Sequence, residues 1–159
     1  MNALKDKNVV VTGSSRGIGA GIARVLAEQG ARIAVTYSAN PDSANKVVAS
    51  LPGSGHLLVK LDVGNSDSVD QGFAEILTKF ERIDGLVNNA GITRDQLLMR
   101  MKDEDFDAVI NTNLRGAYVC SKAVMRPMLK ARRGSIVNIS SVVGQMGNPG
   151  QSNYCASKA

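Results

Sequence analysis

Short apolar runs alternate along the chain with stretches of helical spacing. Asn8-Val9-Val10-Val11-Thr12 is a β-branched run of the kind a strand buried on both faces requires. After it, Ile18, Ile22, Val25 and Leu26 recur at helical spacing as far as Gly30, a residue that ends helices readily. Arg32–Tyr37 reads as a second strand. Asn40-Pro41-Asp42 turns the chain and opens a helix to about Ser50. Leu57–Leu61 is a third strand, closed by Asp62, and Ser66 is placed to cap a helix running to about Arg82. A fourth strand begins at Asp84–Val87 and runs into Asn88-Asn89-Ala90-Gly91. An irregular piece, Ile92–Met101, precedes one long helix from Glu104 to Ala131, which Pro127 kinks or ends. Gly134–Ser140 is the fifth strand, Gly144–Gly150 a Gly/Asn/Pro-rich loop, and Gln151 starts a last helix.

Regular alternation of strand and helix predicts an α/β fold: a doubly wound parallel sheet with helices on both faces, in three αβα layers. No repeat or linker interrupts it, so one domain over residues 1–159 is expected. The 43% apolar and 21% charged content is ordinary for a globular chain and does not alter this. No apolar run is long enough to span a membrane, so no membrane partner is expected. Met1–Lys7 lacks the apolar core of a signal peptide, which points to the cytoplasm. Cys120 and Cys155 have neither metal-ligand nor disulfide spacing and read as reduced thiols. With His56 the only histidine, histidine triads and His-rich metal sites are not expected.

The net charge of +5 is partly local. Lys122, Arg126, Lys130, Arg132 and Arg133 fall between Ser121 and Gly134 with no acid among them. They read either as a solvated helix end, where cations suit the dipole, or as an attraction for an acidic partner. Without interleaved aromatics or a binding motif, nucleic acid is not expected.

The chemistry concentrates where strands end. Gly13-Ser14-Ser15-Arg16-Gly17-Ile18-Gly19 lies between a strand and a helix, where glycines leave room for a pyrophosphate at the helix N-terminus. NAD-binding folds usually carry an acid at the end of the second strand, but Thr36-Tyr37-Ser38 has none. Arg16 instead offers a guanidinium for a 2′-phosphate, so the loop leans to NADP(H). Asp62 ends the third strand, where it suits either an adenine amino group or a turn. Asn113 sits in a predicted mid-helix position that propensity disfavours. Tyr154 and Lys158 are one helical turn apart, and an ammonium beside a phenol favours proton exchange with a substrate oxygen. Ser141 follows the fifth strand, placed to meet the same oxygen.

Thr12–Gly19, Asn88-Asn89-Ala90-Gly91, Asn113, Ser141 and Tyr154-Cys155-Ala156-Ser157-Lys158, in that order, resemble the short-chain dehydrogenase/reductase family across the whole chain. Ile92–Met101 and Ser141–Gln151 narrow the resemblance to the reductases of bacterial fatty-acid synthesis that act on 3-oxoacyl-carrier-protein thioesters, motifs shared with acetoacetyl-CoA reductases. The resemblance implies a Rossmann-type sheet of order 3-2-1-4-5 and NADPH-dependent reduction of a 3-oxoacyl thioester to the 3-hydroxyacyl form. It implies that Tyr154 protonates the carbonyl oxygen and that Lys158 tunes it and holds the nicotinamide ribose. Ser141 would donate a hydrogen bond to the substrate, and Asn113 would hold a relay water. For the cofactor it implies Gly13, Ser15, Arg16, Gly17, Ile18 and Gly19 around the pyrophosphate, and Arg16 with Ser38 on the 2′-phosphate. Asp62 and Val63 would hold the adenine, and Asn89, Ala90 and Gly91 would border the ribose and nicotinamide. It also implies a homotetramer joined through the long helix, and carrier-protein docking at Lys130, Arg132 and Arg133.

Family members run further, through a sixth strand, a substrate-covering segment and a seventh strand. The chain is therefore expected to be a C-terminally incomplete piece that binds NADP(H) weakly and turns over little by itself. Two alternatives stand beside the main reading: a reductase of acetoacetyl-CoA or another small ketone, and a non-catalytic nucleotide-binding module.

Overall fold

The computed structural model describes residues 3–159; Met1 and Asn2 of the N-terminal reading lie outside them. Five strands form one parallel sheet: β1 (Asn8–Val11), β2 (Arg32–Tyr37), β3 (Leu57–Lys60), β4 (Gly85–Asn88) and β5 (Ser135–Asn138). Their order is β3-β2-β1-β4-β5, as expected. Val10 lies opposite Ala34 on one side and Leu86 on the other, so the central strand is apolar along its length.

Side chains alternate across the pleat, which divides the core into two layers. Val9, Val11, Ile33, Val35 and Val87 face α1 (Gly17–Glu28) and α2 (Asp42–Ser50). Val10, Ala34, Val59 and Leu86 face α3 (Ser66–Phe80), whose Phe73, Ile76 and Phe80 fill that layer. Cys120, Val124 and Met128 complete it from α5 (Gly116–Ala131). Burial pushes the Cys120 thiol up to about 12, so it acts as a small apolar group. No helix among the described residues is long and apolar enough to cross a membrane.

Several local expectations are corrected. The buried stripe of α1 is Gly19, Ala23 and Ala27, while Ile18 and Val25 are exposed, because small residues let the helix approach the sheet closely. α3 is capped by Asn65, whose Oδ1 accepts from the Ser68 amide at 3.0 Å, rather than by Ser66. It stops before Arg82 because Glu81 takes a left-handed conformation (φ 62°). β5 is shorter than Gly134–Ser140, and the Gly144–Gly150 loop begins inside a short helix, α6 (Val143–Met146).

The long helix is not one regular element. α4 (Asp103–Val109) passes into a π-helical segment, Ile110–Arg115, and then into α5. Pro127 lies inside α5 without ending it. The irregular piece after β4 carries one 3₁₀ turn, Leu98–Arg100, and the last helix is α7 (Ser152–Lys158).

Candidate active site

The carboxyl ends of β1, β2, β4 and β5 open on one cleft of about 800 Å³. Ligands of open α/β sheets sit at this edge, where successive connections diverge to opposite faces. Gly13, Ser15, Arg16, Gly17, Ile18, Gly19, Ser38, Asp62, Val63, Asn89, Ala90, Gly91, Ser141, Tyr154 and Lys158 all line the cleft. Of the residues expected at the site, Asn113 alone is absent from its wall.

The glycine loop is shaped by contacts with β4. Thr12 Oγ1 accepts from the amides of Asn89 (3.0 Å) and Ala90 (3.1 Å), and Asn89 Nδ2 donates to the Thr12 and Gly13 carbonyls. Gly13 turns with φ 64°, and a Cβ there would meet Ala90 Cα at 2.8 Å. Gly17 (φ 55°) faces open space. α1 begins without a side-chain cap, so its first amides are free for an anion. An open floor, free amides and a helix N-terminus together fit a dinucleotide pyrophosphate. Thr36 was missed in the sequence; it lines the cleft, and its Oγ1 accepts from the Gly13 amide at 3.0 Å.

Arg16 and Ser38 are both exposed on this wall, and Arg16 forms no ion pair among the described residues. Asp62 performs the turn role, its Oδ1 accepting from the Gly64 amide at 2.9 Å, while its side chain still borders the cleft. Val63 is buried beneath Gly116, where a Cβ would meet its Cγ2 at 2.9 Å.

At the opposite end of the cleft, Lys158 is buried. Its Nζ donates to the Ile139 carbonyl at 2.7 Å and stands 6.0 Å from the centre of the Tyr154 ring. Ser140 Oγ donates to the Lys158 carbonyl, fixing the end of α7 beside β5. Asn113 is pinned behind this group. Its Oδ1 accepts from the Ile92 amide (2.8 Å), and its Nδ2 donates to the Ile92 carbonyl and Ser157 Oγ (3.0 Å each). Both amide hydrogens are thus engaged, leaving one lone pair on Oδ1 for a water. Ser157 and Asn111, to which the sequence assigns no role, anchor the π segment at its two ends of the cleft. Asn111 Nδ2 donates to the Gly64 carbonyl from the same π segment.

Burial lowers the Lys158 pKa from its ordinary value of 10.5. Between the lowered folded value and 10.5, the unfolded chain holds more protons, so stability rises with pH across that window. Thermal melts of the parent and Lys158→Met over increasingly alkaline pH should show the parent gaining on the variant up to the unfolded value.

The basic run stands elsewhere. Lys130 lies in the last turn of α5 and Arg132 and Arg133 follow its end, beside the start of β5 and away from the cleft. Arg133 is engaged by Asp84, Nε to Oδ1 at 3.5 Å, and Lys130 and Arg132 are exposed. Burial alone would raise the Asp84 carboxyl, but the Asn8 amide, Arg82 and Lys7 together hold it below the usual carboxylate range.

A family model described as short chain dehydrogenase matches residues 7–159. The chain belongs to the short-chain dehydrogenase family. Such a dehydrogenase works with a nicotinamide cofactor, and the cleft provides the space and free amides for one. The 3-oxoacyl-[acyl-carrier-protein] reductase of Synechocystis sp. is 52% identical over 161 residues, covering 100% of this chain and 65% of that protein. The reductase of the same name from Staphylococcus epidermidis is 47% identical over 156 residues (97% and 64%). That of Chlamydia trachomatis is 46% identical over 159 residues (98% and 64%). This short-chain dehydrogenase chain thus spans about 65% of the length of the curated relatives it matches.

Proposed function

We propose that the protein is an NADPH-dependent 3-oxoacyl-[acyl-carrier-protein] reductase of fatty-acid elongation, with one NADP-binding domain in this chain. The observation that carries this is the single cleft joining the glycine loop to Ser141, Tyr154 and Lys158. The names of its relatives supply the substrate.

When bound, the cofactor supplies hydride to the carbonyl carbon of the substrate. The Tyr154 phenol gives its proton to the carbonyl oxygen. Ser141 donates a hydrogen bond to that oxygen as negative charge builds on it. Lys158, held by Ile139, presents its ammonium to the phenol and to the ribose hydroxyls. Asn113 fixes Ile92 and Ser157 around Lys158 and accepts one hydrogen bond from a relay water. Gly13, Ser15, Gly17, Ile18 and Gly19 hold the pyrophosphate, Asp62 and Val63 the adenine, and Asn89, Ala90 and Gly91 the ribose and nicotinamide side.

The preference for NADP(H) over NAD(H) rests on the free guanidinium of Arg16, Ser38 beside it, and the missing acid at the end of β2. Arg16→Ala should weaken NADPH binding about 10- to 100-fold, the worth of a charge-assisted hydrogen bond to phosphate. NADH binding should change little; titrating each nucleotide by fluorescence measures both.

Leu114, Tyr118, Met125 and Leu129 are exposed at helical spacing along the π segment and α5, which supports a homotetramer joined there. Exposed Lys130 and Arg132, with Arg133 beside them, are the cations proposed to dock an acidic carrier protein. The reading implies a cytoplasmic protein. Following NADPH oxidation with acetoacetyl-carrier protein and with acetoacetyl-CoA tests it. Preference for the CoA thioester would favour the small-thioester alternative. Nucleotide binding without turnover of either would favour the non-catalytic one.

A further inference from the structure

Asn153 is fully buried one residue before Tyr154, and its side chain ties together three pieces of chain. Its Oδ1 accepts from the Tyr154 amide at 2.7 Å. Its Nδ2 donates to the Arg94 carbonyl at 2.9 Å and reaches the Asp105 carbonyl at 3.4 Å. Arg94 belongs to the segment after β4 that lines the cleft, and Asp105 to the first turn of α4. Gln151, the residue before α7, makes no side-chain cap, so the Tyr154 amide is satisfied by its own neighbour.

The same seam carries more exposed stitches. The Gln96 amide donates to the Gly150 carbonyl at 2.8 Å, and Gln151 Nε2 to Asp95 Oδ2 at 3.0 Å. Asn153 is the buried stitch among these. Tyr154 lies in the first turn of α7, where helices fray.

We propose that Asn153 is a positioning residue: by fixing the start of α7 against the 92–101 segment and α4, it sets where the Tyr154 phenol stands in the cleft. The proposal rests on the reading of Tyr154 as proton donor. It also predicts how substitutions differ. Asn153→Ala removes the partner of the Tyr154 amide and of the Arg94 carbonyl, together with the longer contact to the Asp105 carbonyl. Asn153→Asp keeps an acceptor for the Tyr154 amide but turns an oxygen toward two carbonyls, and it regains a donor only when protonated.

The test compares the parent, Tyr154→Phe, Asn153→Ala and Asn153→Asp in the protein carrying this chain, with NADPH and acetoacetyl-CoA as probes. Asn153→Ala should lower kcat roughly 10- to 100-fold, as expected for about 1 Å of misplacement. NADPH affinity should stay within about twofold, because the cofactor loop lies at the other end of the cleft. Asn153→Asp should be comparably slow at alkaline pH and recover relative to the parent on acidification, which Asn153→Ala should not. Hydrogen exchange gives a readout independent of turnover: Asn153→Ala should speed exchange in residues 92–101 and 152–158 and leave β1 to β3 protected. If Asn153→Ala keeps parental kcat while Tyr154→Phe is inactive, positioning by Asn153 is overturned and the reading of Tyr154 stands. Exchange that quickens evenly across the sheet also overturns it, as a general loss of stability. Tyr154→Phe at the parental rate instead overturns the reading on which the proposal rests.

Discussion

Tyr154→Phe is expected to lower turnover by about 10²- to 10⁴-fold, the usual contribution of a positioned general acid. Only the hydroxyl is removed. That hydroxyl has no protein partner among the described residues, so its loss breaks no bond of the fold. The ring stays in place beside Lys158, whose ammonium remains tied to the Ile139 carbonyl. Melting temperature and NADPH affinity should therefore match the parent closely. Initial rates of NADPH oxidation, fluorescence titration of the nucleotide and a thermal melt on the same preparation separate these quantities. Turnover within about tenfold of the parent would mean that the proton reaches the substrate by another route.

Gly19→Ala is expected to damage both stability and cofactor binding. A Cβ at position 19 would lie 2.5 Å from Asn89 Nδ2, 2.5 Å from the Gly13 carbonyl oxygen and 2.9 Å from Ser14 Cα. Two of these are backbone atoms of the glycine loop, and the third belongs to the side chain that holds that loop to β4. Overpacking of this kind costs about 1–3 kcal/mol. The displaced loop should also weaken NADPH binding by about tenfold or more, since free amides serve an anion only in position. Gly21→Ala is the control. It lies two residues on, about 200° round the helix from the crowded face, with nothing within 4 Å, and it should stabilise α1 by about 0.5–1 kcal/mol. Urea unfolding should move the two variants in opposite directions, while nucleotide titration should weaken for Gly19→Ala alone.

The sheet was legible because strands covered on both faces must be short, apolar and β-branched, as Val9-Val10-Val11 and Ile33-Ala34-Val35 are. The cleft was legible because Gly13–Gly19, Asp62, Asn89–Gly91 and Ser141 each follow a strand, and parallel strands deliver their ends to one edge. Helix ends were harder to read. Glu81 stops α3 in a left-handed turn that sequence rules assign to glycine, and the Asn8 side chain binds the carbonyls of Phe80 and Arg82 beside it. The α1 stripe was misread because alanine and glycine, not the larger Ile18 and Val25, make the closest approach. Asn113 was noticed as out of place, but its partners lie 21 and 44 residues away, and nothing local names them. Asn153 carries no distinguishing signal in the sequence, because an asparagine near a helix start reads as an ordinary cap.

The π segment Ile110–Arg115 has a consequence for insertions and deletions. It presents Asn111 to Gly64 at the Asp62 end of the cleft and Asn113 to Ser157 at the Lys158 end. Losing one residue here would let the chain relax into plain α-helix, whose tighter turn makes up for the lost residue, so α5 would keep its heading while the wider turn that spaces the two asparagines disappeared. Asn111 and Asn113 would then no longer both reach their partners. Length, more than composition, is what selection must guard at these six positions.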